Sequence, residues 1–433
     1  MLTFASTKNQ FMLQLAVLRN NPEEVKERLS IKNFKDTDLV DAIIALDDER
    51  KSLTFQFDET KAKINAASKE IGGLMAKGAK AEAEAKKKDV EGFKNTLGPV
   101  EQQLAAKEKE LNELLVKLPN LPSSKVPQGK TPEDKERVRT GGSKPFLFAG
   151  AVPHWELAKK FDLIDFELGN KLTGSGFPVY KGKGAKLQRA LIHYFLDYNT
   201  AAGYTEYLPP HMVNEATAYG TGQLPDKEGQ MYHVTEDDLY LIPTAEVPVT
   251  NIYRDVILKP ADLPIKMTAY TPCFRREAGS YGKDVRGLNR VHQFDKVEIV
   301  QLVHPDKSYE ILEEMVEHVE KLLQSLGLHY RILRLCGGDM SFTSSLTYDF
   351  EVWSAAQERW LEVSSVSNFE AFQTNRMKIR FKDEGGKTQL VHSLNGSSLA
   401  LPRILACLLE NNQDENGIKL PLPVQQYFGS EMI

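Results

Sequence analysis

Apolar side chains spaced alternately four and three apart along residues 39–118 constrain this chain more than any other feature of it. Leu39, Ile43, Leu46, Arg50, Leu53, Phe57, Thr60, Ile64, Ala67, Ile71 and Leu74 keep the rhythm, and only Arg50 and Thr60 break its apolar character. It returns at Val90, Phe93, Leu97, Val100, Leu104, Lys107, Leu111, Leu114 and Leu118. A mean period of about 3.5 residues over several heptads keeps one stripe of a helix facing a partner helix, which is the coiled-coil signature. Between the runs lie Gly72, Gly73 and Gly78, with lysines at 77, 80, 86, 87 and 88. Two seams joined by such a stretch predict an antiparallel helical hairpin over about 38–118, reaching roughly 50 Å at about 1.5 Å per residue. Gly98-Pro99 falls inside the returning helix, where a proline removes a hydrogen bond, so a bend is expected there.

Pro119-Asn120-Leu121-Pro122 stops the second run, and the polar stretch that follows, with its prolines and glycines, reads as a linker over 119–142. Beyond it come short runs rich in β-branched and aromatic residues, mixed with amphipathic helical patterns. Strands and helices without regular alternation predict an α+β domain over 143–433, an antiparallel sheet flanked by helices, behind an N-terminal domain over 1–118. The formal net charge of -5 excludes a globally basic molecule, so any nucleic-acid site must be a local patch. Three cysteines, Cys273, Cys336 and Cys407, stand too far apart for a four-cysteine zinc site or a disulfide framework, which fits a reducing cytoplasm. No stretch approaches the ~20 apolar residues that span a bilayer, and the nine histidines show no His-Glu-x-x-His spacing.

Four clusters could carry chemistry. Residues 265–303 read as a strand ending in Phe274-Arg275-Arg276-Glu277, a loop with Gly279, Gly282 and Gly287, and a return strand from Phe294. Alternation along a strand puts Arg275 with Glu277 on one face, and Phe294, Lys296 and Glu298 on one face of the return. Cations, carboxylates and an aromatic ring make a poor core and a good nucleotide floor. The loop adds Lys283, Arg286 and Arg290, which can follow phosphates. A solvated hairpin with scattered charge fits the same composition. The prolines of Ile242-Pro243-Thr244-Ala245-Glu246-Val247-Pro248 argue against a regular central strand, and its glutamate can be incidental. In Leu361-Glu362-Val363-Ser364-Ser365 alternation pairs Glu362 with Ser364, and a lone strand glutamate commonly faces solvent. Asn395-Gly396-Ser397-Ser398-Leu399-Ala400-Leu401-Pro402-Arg403 precedes an apolar helix that Pro402-Arg403 can open.

Phe274 to Gly279 together with Arg290-Val291-His292-Gln293-Phe294-Asp295-Lys296-Val297-Glu298 resembles motif 2 of class II aminoacyl-tRNA synthetases, in the form found in seryl-tRNA synthetases. The last cluster resembles motif 3, with Ser398 where glycine is common. Residues 187–198, followed by Gly203-Tyr204-Thr205-Glu206-Tyr207-Leu208-Pro209-Pro210, resemble motif 1, which implies a homodimer. The resemblance runs from about Met12 to the C-terminus, and Met1 to Phe11 read as an upstream extension.

What this family likeness implies is ATP-dependent activation of L-serine and transfer of the seryl group to tRNA(Ser). Arg275, Arg403 and Glu362 would be the catalytic residues. Thr244, Ala245, Glu246, Arg275, Glu298, Asn395 and Ser397 would hold serine. ATP would meet Arg275, Arg276, Glu277, Val291, Phe294, Glu362, Val363, Ser364, Ser365 and Arg403, with Glu362 and Ser365 as ligands of Mg²⁺ shared with the phosphates. The arm would lie along the long variable arm of tRNA(Ser), reading shape and charge. Other readings stay open on sequence: a class II synthetase for another amino acid, a homologue that charges a carrier protein, or a coiled-coil protein with an inactive synthetase-like domain.

Overall fold

The computed structural model describes residues 14–278 and 286–433; the expected upstream extension, the Met12-Leu13 start, Gly279, Gly282 and Lys283 lie outside them. The chain forms two compact units, one of residues 34–119 with those up to 30, the other of residues 120–433 with 31–33.

The first unit is built on helices α1 (Leu39–Ala76) and α2 (Lys80–Leu115), packed antiparallel along their length. Every position of the two predicted seams is buried or half-buried, while most flanking positions are exposed. At about 1.5 Å per residue, the 38 residues of α1 extend a little under 60 Å. Gly72 and Gly73 continue α1; the reversal comes at residues 77–79, where Gly78 takes φ +77 and the amide of Ala79 donates to the Leu74 carbonyl. A left-handed glycine closing a helix in this way satisfies carbonyls that would otherwise be orphaned. Lysines 86–88 ride on α2 rather than in the turn. Helix α2 continues on both sides of Pro99, so the proline does not end it.

The polar seam positions have local partners. Lys107 pairs with Glu49 across the seam at 2.8 Å. Arg50 pairs with Asp47 at 2.7 Å, and Asp47, 1% exposed, also accepts Arg19 at 2.9 Å and Lys51 at 3.1 Å. Burial raises the Asp47 pKa, but the Arg50 and Lys51 contacts outweigh it and hold the carboxyl below its ordinary value.

The second unit is an eight-stranded sheet with helices on it. Its elements are β1 (Glu136–Gly141), α3 (His154–Lys160), α4 (Gly182–Ala201), β2 (Thr205–Glu206), β3 (Ile265–Phe274), β4 (Gln293–Val303), α5 (Ser308–Ser325), β5 (Tyr330–Arg334), β6 (Leu346–Ser354), β7 (Arg359–Asn368), β8 (His392–Ala400) and α6 (Leu401–Asn411). The strand order is β1-β5-β6-β7-β8-β4-β3-β2, antiparallel throughout except for β2 beside β3. Strand β1, in the stretch read as a linker, is the outer strand of this sheet.

Helices α4, α5 and α6 bury their apolar stripes on one face of the sheet. Phe195 of α4, Met315 and Val319 of α5, and Leu405 and Leu408 of α6 share a single core with Val297 and Ile299 of β4, Phe350 of β6 and Val366 of β7. On β4 the odd-numbered Val297 and Ile299 enter that core, leaving Phe294, Lys296 and Glu298 to the opposite face. No helix among the described residues is long and apolar enough to cross a membrane.

Removing the Asp47 carboxylate leaves three cations facing a buried, vacated position. Asp47→Ala is expected to destabilise the first unit by roughly 3 kcal/mol, the usual size for breaking a buried ion pair from one side. Urea unfolding followed by far-ultraviolet circular dichroism measures this, and a loss below about 0.5 kcal/mol would count against it.

Candidate active site

Strands β3 and β4 pair in continuous register from Ile265 with Leu302 to Phe274 with Gln293, which fixes where the connection between them leaves the sheet. The strand ends at Phe274, earlier than the sequence reading placed it. Glu277 takes a left-handed φ of +48, so strand alternation does not govern its direction. The turn is held instead by hydrogen bonds: the Arg275 amide donates to the His292 carbonyl at 2.8 Å, and the Glu277 amide to the Gln230 Oε1 at 3.1 Å. Arg275 and Glu277 nevertheless line the same cleft.

That cleft, about 520 Å³, lies on the sheet face away from α4–α6. Thr244, Glu246, Arg275, Glu277, Val291, Phe294, Glu298, Glu362, Val363, Ser364, Ser365, Asn395, Ser397 and Arg403 all line it. Two expected residues do not. Ala245 is fully buried in an apolar cluster with Val249, Met267 and Val300. Arg276 is exposed outside the cleft, its amide bonded to the Gln230 carbonyl. An alanine methyl has nothing but apolar surface to offer, and the left-handed turn carries Arg276 away from its neighbours.

The guanidinium of Arg275 stands over the Phe294 ring at 5.3 Å and donates to the Pro243 carbonyl at 3.3 Å. Arg403, in the first turn of α6 behind Pro402, donates from Nε to the Asn289 carbonyl at 3.0 Å and from Nη1 to the Glu362 carbonyl at 2.8 Å. Arg290 pairs with Glu277 at 2.8 Å. Planar cations held by carbonyls keep their charge unspent, available to phosphate oxygens.

Two carboxylates are buried in the same cleft. Lys296 neutralises Glu298 at 2.7 Å, and the Ser397 hydroxyl donates to Glu298 at 3.3 Å. Among the described residues Glu246 has no such counter-ion at contact; Gln373 donates to it at 2.6 Å. Burial and the neighbouring Glu298 charge push the Glu246 carboxyl up to about 7, against the pull of Gln373, Lys296 and Asn395. Gln373 was not singled out from sequence; it comes from the short helix Phe372–Met377, whose sequence carries no motif.

Sequence alternation paired Glu362 with Ser364, and the structure corrects this. A bulge shifts the β6–β7 register between Phe350 and Glu351, so that Ser364 faces Phe350 while Glu362 faces Glu351. The extra residue turns Glu362 and Ser365 to one side, with 3.3 Å between Ser365 Oγ and Glu362 Oε1. Ser365 Oγ donates to Asp349 at 2.6 Å, and Lys135 pairs with Asp349 at 3.0 Å. Burial and the Glu362 charge raise the Asp349 pKa, partly offset by Lys135. With its proton committed to Asp349, Ser365 keeps lone pairs for a cation. A carboxylate and a hydroxyl are hard oxygen donors of the kind magnesium takes alongside phosphates. Among the described residues no group of three or more His, Cys, Asp or Glu could hold a metal alone.

Ser398 does not crowd the cleft. It is fully buried, and its hydroxyl donates to Asn199 of α4 at 2.9 Å, on the side away from Ser397.

Comparison with known proteins covers nearly the whole chain. Residues 12–122 match the seryl-tRNA synthetase N-terminal domain, and residues 231–412 match the tRNA synthetase class II core domain (G, H, P, S and T). A serine--tRNA ligase of Salinibacter ruber is 50% identical over 420 residues, covering 96% of this chain and 98% of its own. One from Hydrogenobaculum is 45% identical, covering 98% of this chain and 100% of its own. The crystal structure of a seryl-tRNA synthetase from Pyrococcus horikoshii complexed with ATP superposes with a TM-score of 0.89 at 32% identity, over 97% of this chain and 99% of that one. With relatives this similar along its full length, the chain belongs to the seryl-tRNA synthetase family of class II aminoacyl-tRNA synthetases.

Proposed function

We propose that the cleft activates L-serine with ATP and transfers the seryl group to tRNA(Ser), the N-terminal hairpin over about 38–118 selecting the tRNA and residues 143–433 doing the chemistry. The observation that carries this reading is the meeting, on one sheet face, of two buried carboxylates with two arginines and an aromatic ring.

Serine's ammonium needs a carboxylate, and Glu246, beside Thr244, is a buried one in the cleft whose charge no cation meets at contact among the described residues. Its hydroxyl meets Glu298, Ser397 and Asn395. Adenine stacks on Phe294 beside Glu277 and Val291, and Arg275 and Arg403 take the phosphate charge. Glu362 and Ser365 would hold magnesium, which when bound neutralises phosphate oxygens. The serine carboxylate attacks the α-phosphorus, pyrophosphate leaves, and the terminal adenosine hydroxyl of the tRNA then takes the seryl group from the adenylate. No side chain need become a nucleophile; positioning and charge neutralisation supply the rate. Alanine would leave the buried partners of the hydroxyl unpaired, a penalty that can reach ~10⁴-fold. A homodimer fits the far end of the sheet, where among the described residues β2 has a neighbour on one side only and Leu208 is 81% exposed.

Serine, and not threonine or proline, should drive ATP–pyrophosphate exchange, and Arg275→Ala should lower that exchange by roughly 10³-fold. Exchange with proline, or without any amino acid, rules the assignment out.

A second expectation follows from Glu246. A carboxyl at about 7 in the free protein must release its proton to meet an ammonium, so serine binding tightens as pH rises towards 7 and levels off above it. Serine KM from about pH 6 to 8 should fall, steeply at first, by up to tenfold per unit, and Glu246→Gln should flatten the curve. A flat wild-type curve refutes the assignment of the ammonium to Glu246.

The exposed lysines at the tip of the hairpin test its role. Reversing Lys77, Lys80 and Lys88 to glutamate should leave exchange intact and weaken tRNA charging by at least about tenfold at physiological salt. Equal loss in both assays contradicts a dedicated tRNA-reading arm.

A further inference from the structure

His154 opens α3, and neither its imidazole nor its partner Glu410 lines the cleft. Both side chains are completely buried, 0% exposed. Glu410 is placed two turns along α6 from Arg403 and is held from four directions. The His154 backbone amide donates to its Oε1 at 3.0 Å, His154 Nδ1 at 2.7 Å and Gln357 Nε2 at 2.9 Å, and the Ser354 hydroxyl donates to its Oε2. Burial alone would raise the Glu410 pKa, but the His154 and Ser354 hydrogen bonds outweigh it and keep the carboxyl below its ordinary value. An ionised Glu410 only accepts, so Nδ1 of His154 carries the ring proton that faces it.

The other nitrogen is then fixed. His154 Nε2 lies 2.8 Å from the backbone amide of Leu288, which can only donate. The neutral ring protonated at Nδ1 is the one form of histidine that satisfies both neighbours. Gly287, at φ +63, makes the approach possible: a Cβ there would stand 2.2 Å from Nε2. The next residue is tied to the same cluster, since Asn289 Nδ2 donates to Gln357 Oε1 at 2.8 Å. On the other side Arg286 stands over the Trp155 ring at 4.6 Å, and the Asn289 carbonyl receives Arg403. The limb returning from the β3–β4 connection is thus seated on α3, bonded to α6 through Arg403, and tied to Glu410 of α6 through Gln357.

We propose that His154 is a positioning residue for nucleotide binding: locked in one tautomer by Glu410, it accepts the Leu288 amide and sets where Asn289, Arg290 and Val291 meet the cleft. The inference rests on the reading of that cleft as the ATP site. It gives a reason for a buried histidine–glutamate pair that the chemistry itself does not use. A buried ion-pair-like contact is weak evidence of stability alone, because an apolar pair of the same volume commonly serves as well.

Hydrogen exchange on the full-length protein, read by mass spectrometry on overlapping fragments, tests the seat directly. The Leu288 amide should exchange at least about tenfold slower than an open amide. For kinetics, His154→Leu removes the acceptor, whereas His154→Gln can present a carbonyl oxygen to the same amide. The Leu variant should raise the ATP KM about tenfold, the size expected for one lost hydrogen bond to a buried amide, with serine KM within about twofold. Gln should recover most of the difference. Should the Leu variant fail to fold, the wild-type exchange and the Gln variant decide: an unprotected Leu288, or an ATP KM raised in the Gln variant as much as serine KM, overturns the proposal. Wild-type protein that shows no serine-dependent pyrophosphate exchange refutes the cleft assignment while leaving the Leu288 measurement to stand by itself.

Discussion

The catalytic unit depends on the two-residue period of one central strand. β4 sends Val297 and Ile299 into a dry core beneath α4–α6 and Phe294, Lys296 and Glu298 to the opposite face. An ionised carboxylate is tolerated at such depth only with a partner, and Lys296 on the same face provides it two residues away. The apolar half keeps the strand from shifting: a slip of one residue would exchange the two faces and bury the ion pair in the helix core. Strength in the core and precision at the site therefore have one origin. β3, paired to β4 in register over its length, hands that precision to Arg275 at its end.

Much of this was legible in the residues. The heptad seams predicted the hairpin position by position, because a helix facing one partner has a single exposed-to-buried period and few ways to satisfy it. The alternation of Phe294, Lys296 and Glu298 was legible for the same reason. The failures cluster where backbone periodicity is interrupted. Alternation paired Glu362 with Ser364, and a bulge delivers Ser365 instead. Alternation also treated Glu277 as strand, and a left-handed residue placed it in the cleft by another route. Neither interruption leaves a mark in the local sequence, since no glycine or proline stands at Glu277 or between Leu361 and Ser365. The charged outer strand Glu136–Gly141 read as linker because an edge strand with one neighbour needs no apolar alternation.

Long-range partners were illegible for a different reason. Gln373, Asp349 and His154 act through residues that are distant along the chain and meet only after the sheet has formed. Each is polar and buried, the combination a sequence reading assigns by default to solvent. They share a logic with Asp47 in the hairpin, which is buried among Arg19, Arg50 and Lys51. In each case a polar group withdrawn from water is compensated by a partner of fixed geometry, so the orientation of a neighbouring segment is determined rather than averaged.

The two cleft carboxylates then divide their work by environment alone. Glu298 has its charge met inside the protein by Lys296, and its remaining oxygen capacity is open to a neutral donor such as the Ser397 hydroxyl. Glu246 is buried and faces the Glu298 charge, and these push its carboxyl up to about 7 against the weaker pull of Gln373, Lys296 and Asn395. A ligand that brings one positive charge and one hydroxyl completes both at once. A ligand with the charge and no hydroxyl strands the partners around Glu298, and one with the hydroxyl and no charge leaves Glu246 protonated. On the proposed reading, the pairing of an uncompensated carboxylate with a compensated one would itself be the filter for a small hydroxylated amino acid.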